Sequence, residues 1–279
     1  EYFDFTKIEN KIQVDLRKKS LRTSPQQTIT FRNILINEED AGVLSEINLF
    51  GDETFEMVNE LRYDLVKKRI LFPYSINGAL QLGDGYTRLT AEGNIRLNYP
   101  KSKNGIDVRI FAGKFFGEST GYYRNTFTMQ GADGYEDFLY DEIFFGRNVY
   151  GGLWDNQIMM RDGFMKIKNY SGSASLNYSD DLMAAANFEF AIPKLSFIAL
   201  FADLVYNSTS DDIYPENGNI FYDGGVMLRL PNNIFEIYFP LIQSDVFDVI
   251  TLDELPYKEK ITFMLDVNAL NVFELLRKL

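Results

Sequence analysis

Along most of this chain apolar and polar residues take turns. From Leu89 to Tyr99, the positions Leu89, Ala91, Gly93, Ile95, Leu97 and Tyr99 are apolar, and Thr90, Glu92, Asn94, Arg96 and Asn98 between them are polar. Side chains at i, i+2 and i+4 share one face of an extended strand, so this reads as a strand with one oily and one wet face. The period recurs at Leu61, Tyr63 and Leu65 against Glu60, Arg62 and Asp64, and at Ile220, Tyr222, Gly224, Val226, Leu228 and Leu230 around Asp223 and Arg229. It returns at Ile261, Phe263, Leu265 and Val267, where Met264 departs from it.

Followed from end to end, the pattern predicts twelve strands, at 27–37, 54–67, 74–82, 88–99, 106–117, 138–147, 155–168, 182–192, 195–206, 219–230, 233–241 and 258–267. They are longer than the ~5–6 residues usual in soluble sheets, and ~9–11 residues suffice to cross a bilayer at a tilt. Ile12 to Leu16 also alternates and offers a further strand; otherwise residues 1–25 read as a pre-barrel connector or the end of an upstream domain.

The connections add a second pattern. Read back from the end, 242–257 is long, 231–232 short, 207–218 long, 193–194 short and 169–181 long. Outer-membrane barrels have short periplasmic turns and longer extracellular loops, so the alternation places the C-terminus in the periplasm. It puts 118–137 and 38–53 outside and 100–105 inside; the short turn at Asp84-Gly85 falls outside, against the rule. The tail 269–279 spaces Val272, Phe273, Leu275, Leu276 and Leu279 as a short amphipathic helix would.

Composition narrows the chemistry. Among 279 residues there is no histidine and no cysteine, which excludes a Ser-His-Asp triad, a thiolate nucleophile, an imidazole zinc site and any disulfide. A net charge of −12 argues against tracking phosphates, so nucleic acid is not an expected partner. No apolar run reaches the ~18 residues of a spanning helix; the nearest, Met183 to Tyr206, is broken by Asn187, Glu189, Pro193, Lys194 and Asp203.

Local motifs point to no catalysis. The acidic groups Glu38-Glu39-Asp40, Asp180-Asp181 and Asp211-Asp212 match no calcium loop and read as solvated loop charge. Gly83-Asp84-Gly85 and Gly151-Gly152 lead into no phosphate-binding helix. The inward-reading Glu60, Arg62, Asp64, Glu92, Arg96, Asp107, Arg109, Asp223 and Arg229 are expected to pair in a lumenal network, since a buried unpaired charge is costly; a water-filled channel is the alternative. Tyr99, Phe115, Phe116, Tyr206, Tyr238 and Phe239 lie near strand ends, as an interfacial aromatic girdle would. The stretch 195–206 is apolar on both faces, which calls for something apolar inside the barrel.

A set of motifs, in order, resembles a known family. They are Gly134-Tyr-Glu-Asp-Phe-Leu-Tyr-Asp-Glu-Ile-Phe-Phe-Gly-Arg-Asn148, Gly152-Leu-Trp-Asp-Asn-Gln157, Arg161-Asp-Gly-Phe164, Phe221-Tyr-Asp-Gly-Gly225, Ile234-Phe-Glu-Ile-Tyr-Phe-Pro240, Ser244-Asp245, Tyr257-Lys-Glu-Lys-Ile-Thr-Phe263 and Asn271-Val-Phe-Glu-Leu-Leu-Arg277. Over about 134–279 they look like the C-terminal region of aminopeptidase-N-like gluzincin metallopeptidase proteins of Bacteroidota. In that family a domain with H-E-x-x-H, two zinc-binding His and a general-base Glu, precedes this region. With no His here, none of those catalytic or zinc-binding residues carries over.

The expected fold is all-β, a closed antiparallel transmembrane β-barrel of about twelve strands over 26–268, with a short periplasmic amphipathic tail at 269–279. The expected role is an outer-membrane barrel that anchors a periplasmic peptidase-like domain and docks envelope partners or passes peptide or solute. Two alternatives stand beside it, a porin-like transporter with an open lumen and a soluble secreted β-sandwich binding module. No catalytic, cofactor-binding or metal residue is expected, and this chain is not expected to be an enzyme. Its expected partners are outer-membrane lipids, the upstream domain and other envelope proteins.

Overall fold

The computed structural model of the chain describes residues 4–16, 25–39, 54–102, 104–117, 126–147, 152–168, 177–195, 197–209, 218–230, 234–245, 247 and 256–266. Eleven strands form one antiparallel sheet in which each pairs with its neighbour in the chain. The first six are β1 (Asp4–Asp15), β2 (Gln26–Glu39), β3 (Thr54–Lys67), β4 (Tyr74–Leu82), β5 (Tyr86–Asn98) and β6 (Gly105–Gly117). After the two-residue strand β7 (Phe127–Thr128) and its partner β8 (Tyr178–Ser179), the sheet resumes. Its second part is β9 (Leu182–Ala191), β10 (Ile198–Asn207), β11 (Ile220–Arg229), β12 (Phe235–Gln243) and β13 (Thr262–Leu265), the last preceded by one helical turn, α1 (Tyr257–Lys260). β6 pairs directly with β9, so the chain between them, described at 126–147, 152–168 and 177–181, leaves the sheet as an insert.

Period two sets the register. On β5, Leu89, Ile95 and Leu97 are exposed on one face, while Arg88, Glu92 and Arg96 turn to the other. Ile12, Phe31, Leu61, Ile76, Leu200, Leu204, Ile220 and Leu241 continue the exposed apolar face on other strands. The opposite face buries Arg32, Glu60, Gln81, Arg88, Arg109, Asn187, Asp203 and Asp223. This reverses the usual arrangement of a globular sheet, in which apolar residues are the buried ones.

The insert lies on the polar face and touches both ends of the sheet. At one end Lys7 Nζ of β1 is 2.6 Å from Asp141 Oδ1, and at the other the Ile158 N–H donates to the Phe263 carbonyl of β13 at 2.8 Å. The two contacts are tied together, because the Phe145 N–H donates to Gln157 Oε1 at 2.9 Å. Asp141 to Phe145 spans at most ~14 Å of extended chain, whereas ten inter-strand steps of about 4.8 Å would hold the ends of a flat sheet roughly 48 Å apart. The sheet is therefore curled around the insert, polar face inward. Among the described residues β1 and β13 are its two ends and do not pair with each other.

Ten of the twelve expected strands are present, and two are corrected. The stretches 138–147 and 155–168 are not sheet strands but irregular parts of the insert, with Leu153–Asn156 a short 3-10 turn. Tyr140, Asp162 and Phe164 take positive φ of 50°, 47° and 51°, and each breaks the extended run there. Asp4–Asp15, expected within a connector unless it formed a further strand, pairs with β2 across its whole length. The expected strand at 258–267 shortens to β13 because Tyr257–Lys260 is helical. The predicted tail helix at 269–279 lies outside the described residues.

Candidate functional site

The curled sheet encloses one polar interior, and the insert binds it through three apolar clusters and a chain of hydrogen bonds. Phe127, Met129, Met165 and Ile167 pack against Phe111, Met183, Ala185, Val205 and Phe221 of the wall. Ile158, Met159 and Phe164 pack against Ala199, Phe201, Met227, Tyr238 and Met264. Phe138 and Leu139 pack against Ile34, Ile36 and Val58. Both inner-face clusters involving β10 use residues of the stretch that is apolar on both sides, so the insert is the apolar filling its composition requires.

The hydrogen bonds run from wall to insert and back. Arg32 Nη1 donates to Glu60 Oε1 at 3.3 Å, Gln81 Nε2 to Glu60 Oε2 at 2.7 Å, and Arg88 Nη1 to Gln81 Oε1 at 3.2 Å. Arg88 Nη2 then meets Asp162 Oδ1 of the insert at 2.5 Å. Arg109 continues the path, donating to the Asp162 carbonyl and to Asn187 Oδ1, each at 2.8 Å. Asn187 Nδ2 donates to Asp203 Oδ1, which also receives Lys166 Nζ, again at 2.8 Å.

Lys166 is the centre of the far side. Asp203 and Asp223 stand opposite each other on β10 and β11, a like-charge pair that is unfavourable by itself. The fully buried Lys166 ammonium bonds Asp203, while Asp223 Oδ2 accepts the Lys166 and Ile167 N–H groups at 2.9 Å each. Phe164 lies under the ammonium at 4.1 Å from its ring centre. Thr262 Oγ1 of β13 donates to the Lys166 carbonyl.

Within the insert, Glu136 gathers its own donors: Asp133 N–H at 3.1 Å, Asn177 Nδ2 at 3.2 Å and Gln130 Nε2 at 3.4 Å. Burial, reinforced by the neighbouring Asp133 carboxylate, pushes its carboxyl up to about 8. At the β1 end the Asp141 carboxylate is held by Arg32 and Lys7.

The charged residues read from the sequence as lumenal do meet on this face. Arg62 pairs with Asp64, Arg96 with Asp107, Arg109 with Glu92, and Arg229 lies between Asp107 and Glu189. Glu60 and Asp223 join the path described above. Sequence reasoning missed Arg32, Arg88, Asp162, Lys166 and Asp203; the signal for Arg32 and Arg88 was their inward register, while Asp162 and Lys166 sit where no period applies.

The aromatic girdle needs correction. Phe116 and Tyr206 are exposed on the outer face, but Tyr238 is fully buried and bonded to Glu236, and Phe115 faces inward against Phe127. Inward register, not distance from the strand end, decides these two. Of the acidic groups, Glu38 accepts the Tyr140 hydroxyl at 2.8 Å, Asp180 accepts Thr209, and Asp181 pairs with Lys114. Asp40, Asp211 and Asp212 lie outside the described residues. Gly85, at φ 77°, serves the β4–β5 turn.

Among the described residues no three acidic side chains converge as a metal site, and no helix is long and apolar enough to cross a membrane, which bears only on helical spans. No protein-family model and no curated protein matches the chain.

Proposed function

We propose that this chain is a bacterial outer-membrane β-barrel filled by its own insert, and that it works as an anchor for a peptidase-like domain preceding it; β1 pairs Asp4 with Glu39, at the end the loop lengths place outside, so such a domain would join the wall from that side. The observation that supports this most is the inversion of the sheet, with apolar side chains exposed outside and ion pairs buried inside. Each exposed Leu or Ile forgoes roughly 1.5–3 kcal/mol while it faces water, and lipid removes that cost. The sheet curls until one short part of the insert touches both of its ends, and in lipid the gap between them has to be filled, because an open edge would leave backbone groups unpaired. The insert follows β6 at the end that the loop lengths place outside the cell, and folds into the interior from there.

The peptidase-like partner rests on the family resemblance of 134–279 alone. A porin-like path has one observation in its favour, the half-exposed Arg62, Asp64 and Arg96 beneath β3 to β6. A soluble sandwich would bury the face that is exposed here. The test is extraction from the outer-membrane fraction followed by mild SDS electrophoresis with and without boiling, and conductance in planar bilayers. A filled barrel requires detergent, shifts on boiling and passes little current; a steady large conductance favours the porin, and a soluble, unshifted protein contradicts the membrane reading.

A further inference from the structure

Among the described residues there is one place in the curled wall where strand does not meet strand. β1 and β13 end the ladder, and since its eleven strands alternate in direction, these two run the same way. A direct seam between them would have to be parallel, whereas bacterial barrels use even numbers of antiparallel strands.

The insert occupies the far edge of β13. Gln157 and Phe263 form a parallel bridge, and Asn156 Nδ2 donates to the Ile261 carbonyl at 3.0 Å. Bridged residues point to the same face of a sheet. Phe263 pairs with Ile237, whose neighbours Glu236 and Tyr238 turn inward, so Phe263 and Gln157 belong to the outer face. Ile158 accordingly turns inward and packs with Met264 and Tyr238. Phe263 is only 7% exposed, against 65% for Leu241 on the same face, so chain covers it from outside.

The Gln157 side chain holds an extended segment in this gap. It accepts the Phe145 N–H at 2.9 Å and donates to the Ile143 carbonyl at 2.8 Å. From Glu142 to Phe145 exposure alternates as on a strand, with Phe144 turned in against the Ile158 cluster, while Asp141 before it turns to the inward Arg32 and Lys7. The segment reaches β1 where Lys7 bonds Asp141 and Phe5 stacks on Tyr140 at 3.7 Å. It leaves Ile143 54%, Phe145 57%, Leu153 69% and Trp154 55% exposed, with the Phe145 and Trp154 rings 4.9 Å apart. These are large apolar groups on a segment whose other side, at Glu142 and Phe144, is half-buried.

We propose that the insert completes the wall between β1 and β13, and that Ile143, Phe145, Leu153 and Trp154 rest there against lipid acyl chains. The occupant follows from continuity at β13, where Gln157 is bridged to Phe263 in the outer-face register and Ile143, Phe145, Leu153 and Trp154 stay exposed beside it. This inference rests on the membrane-barrel reading and adds a second task for the insert, which fills the interior and also seals the wall.

Trp154 is the only tryptophan in the chain, so the unmodified protein reports on the site. The full chain is reconstituted in phosphatidylcholine vesicles whose acyl chains carry bromine, and in unbrominated vesicles. The expected result is loss of most Trp154 emission in brominated lipid, with little quenching by aqueous iodide. A Trp154→Phe/Leu200→Trp variant places the probe on the outer face of β10 and tests the membrane reading separately. Quenching of that variant in brominated lipid while native Trp154 is quenched only by iodide overturns the sealed seam and leaves the barrel standing. Lack of lipid quenching at both positions overturns both.

Discussion

The two sides of the interior are built differently. At the Arg62 and Arg96 end of β3 to β6 the inner face is polar and its ion pairs stay half exposed: the side chains of Arg62 and Asp64 are 41% and 32% exposed, those of Arg96 and Asp107 37% and 27%; further along the same strands Arg88 and Arg109 are buried against Asp162 of the insert. Beneath β9 to β13 the inner face mixes Ala199, Phe201, Met227 and Tyr238 with Asp203 and Asp223, the insert packs on it, and Lys166 and Asp203 are fully buried. A polar stretch of inner face, like that at Arg62 and Arg96, can be left to solvent and pairs within the wall. One that is partly apolar needs a partner, and once that partner excludes water, each remaining charge must be compensated from the partner's side. Lys166 is that compensation.

This contrast sets the size of mutational effects. Lys166→Met leaves Asp203 buried without its cation and is expected to destabilise by about 3–5 kcal/mol, read as a lower urea midpoint in detergent. Adding Asp203→Leu to the same chain should recover part of the loss; no recovery would mean that packing, not charge, is what Lys166 supplies. On the other face, Ile95→Arg is expected to cost roughly 2–4 kcal/mol if it meets the bilayer midplane, while Asn94→Arg beside it is far milder. Equal cost at the two positions would break the assignment of faces.

Glu136 tests the buried side by pH. Its carboxyl stands at about 8 in the fold against 4.5 ordinarily, so between these values the folded chain binds a proton that the unfolded chain has lost. Its stabilising contribution is complete below the lower value and disappears as pH rises through the upper one. Glu136→Gln removes this titration, so the stability of the variant relative to wild type should rise steadily from pH 5 to pH 8. A pH-independent difference would place Glu136 in a wetter setting. The smallest effect belongs to the open side: Arg62→Met should change stability by less than about 1 kcal/mol, as exposed ion pairs do.

Legibility in the sequence follows the same division. β3 and β4 match their expected ranges to the residue, because alternation and turn residues both mark them. The insert was misread as two strands because Ile143, Phe144 and Phe145 alternate in environment over a few residues, and a short window does not register the positive-φ residues that bend the chain between them. Its presence was nonetheless signalled by 195–206, where an inner face carrying Ala199, Phe201 and Val205 had to meet something apolar. The lumenal pairs were legible as inward charges. Lys166 was not, since nothing in its local pattern says which way it points, and only the packing of Phe164 and Ile167 around it fixes that.

In the proposed barrel one face of the sheet meets lipid and the other meets water or the insert. The chain has no cysteine, so single cysteines introduced in turn at positions 93–97 of β5 and 199–204 of β10, in vesicle-reconstituted protein, can be probed with a water-soluble maleimide. Lipid on the outer face alone predicts labelling at 94 and 96 but not at 95 and 97, and no labelling on either face of β10, where lipid covers one side and the insert the other. Labelling of the odd positions of β5, or the same period-two pattern on β10, would contradict it.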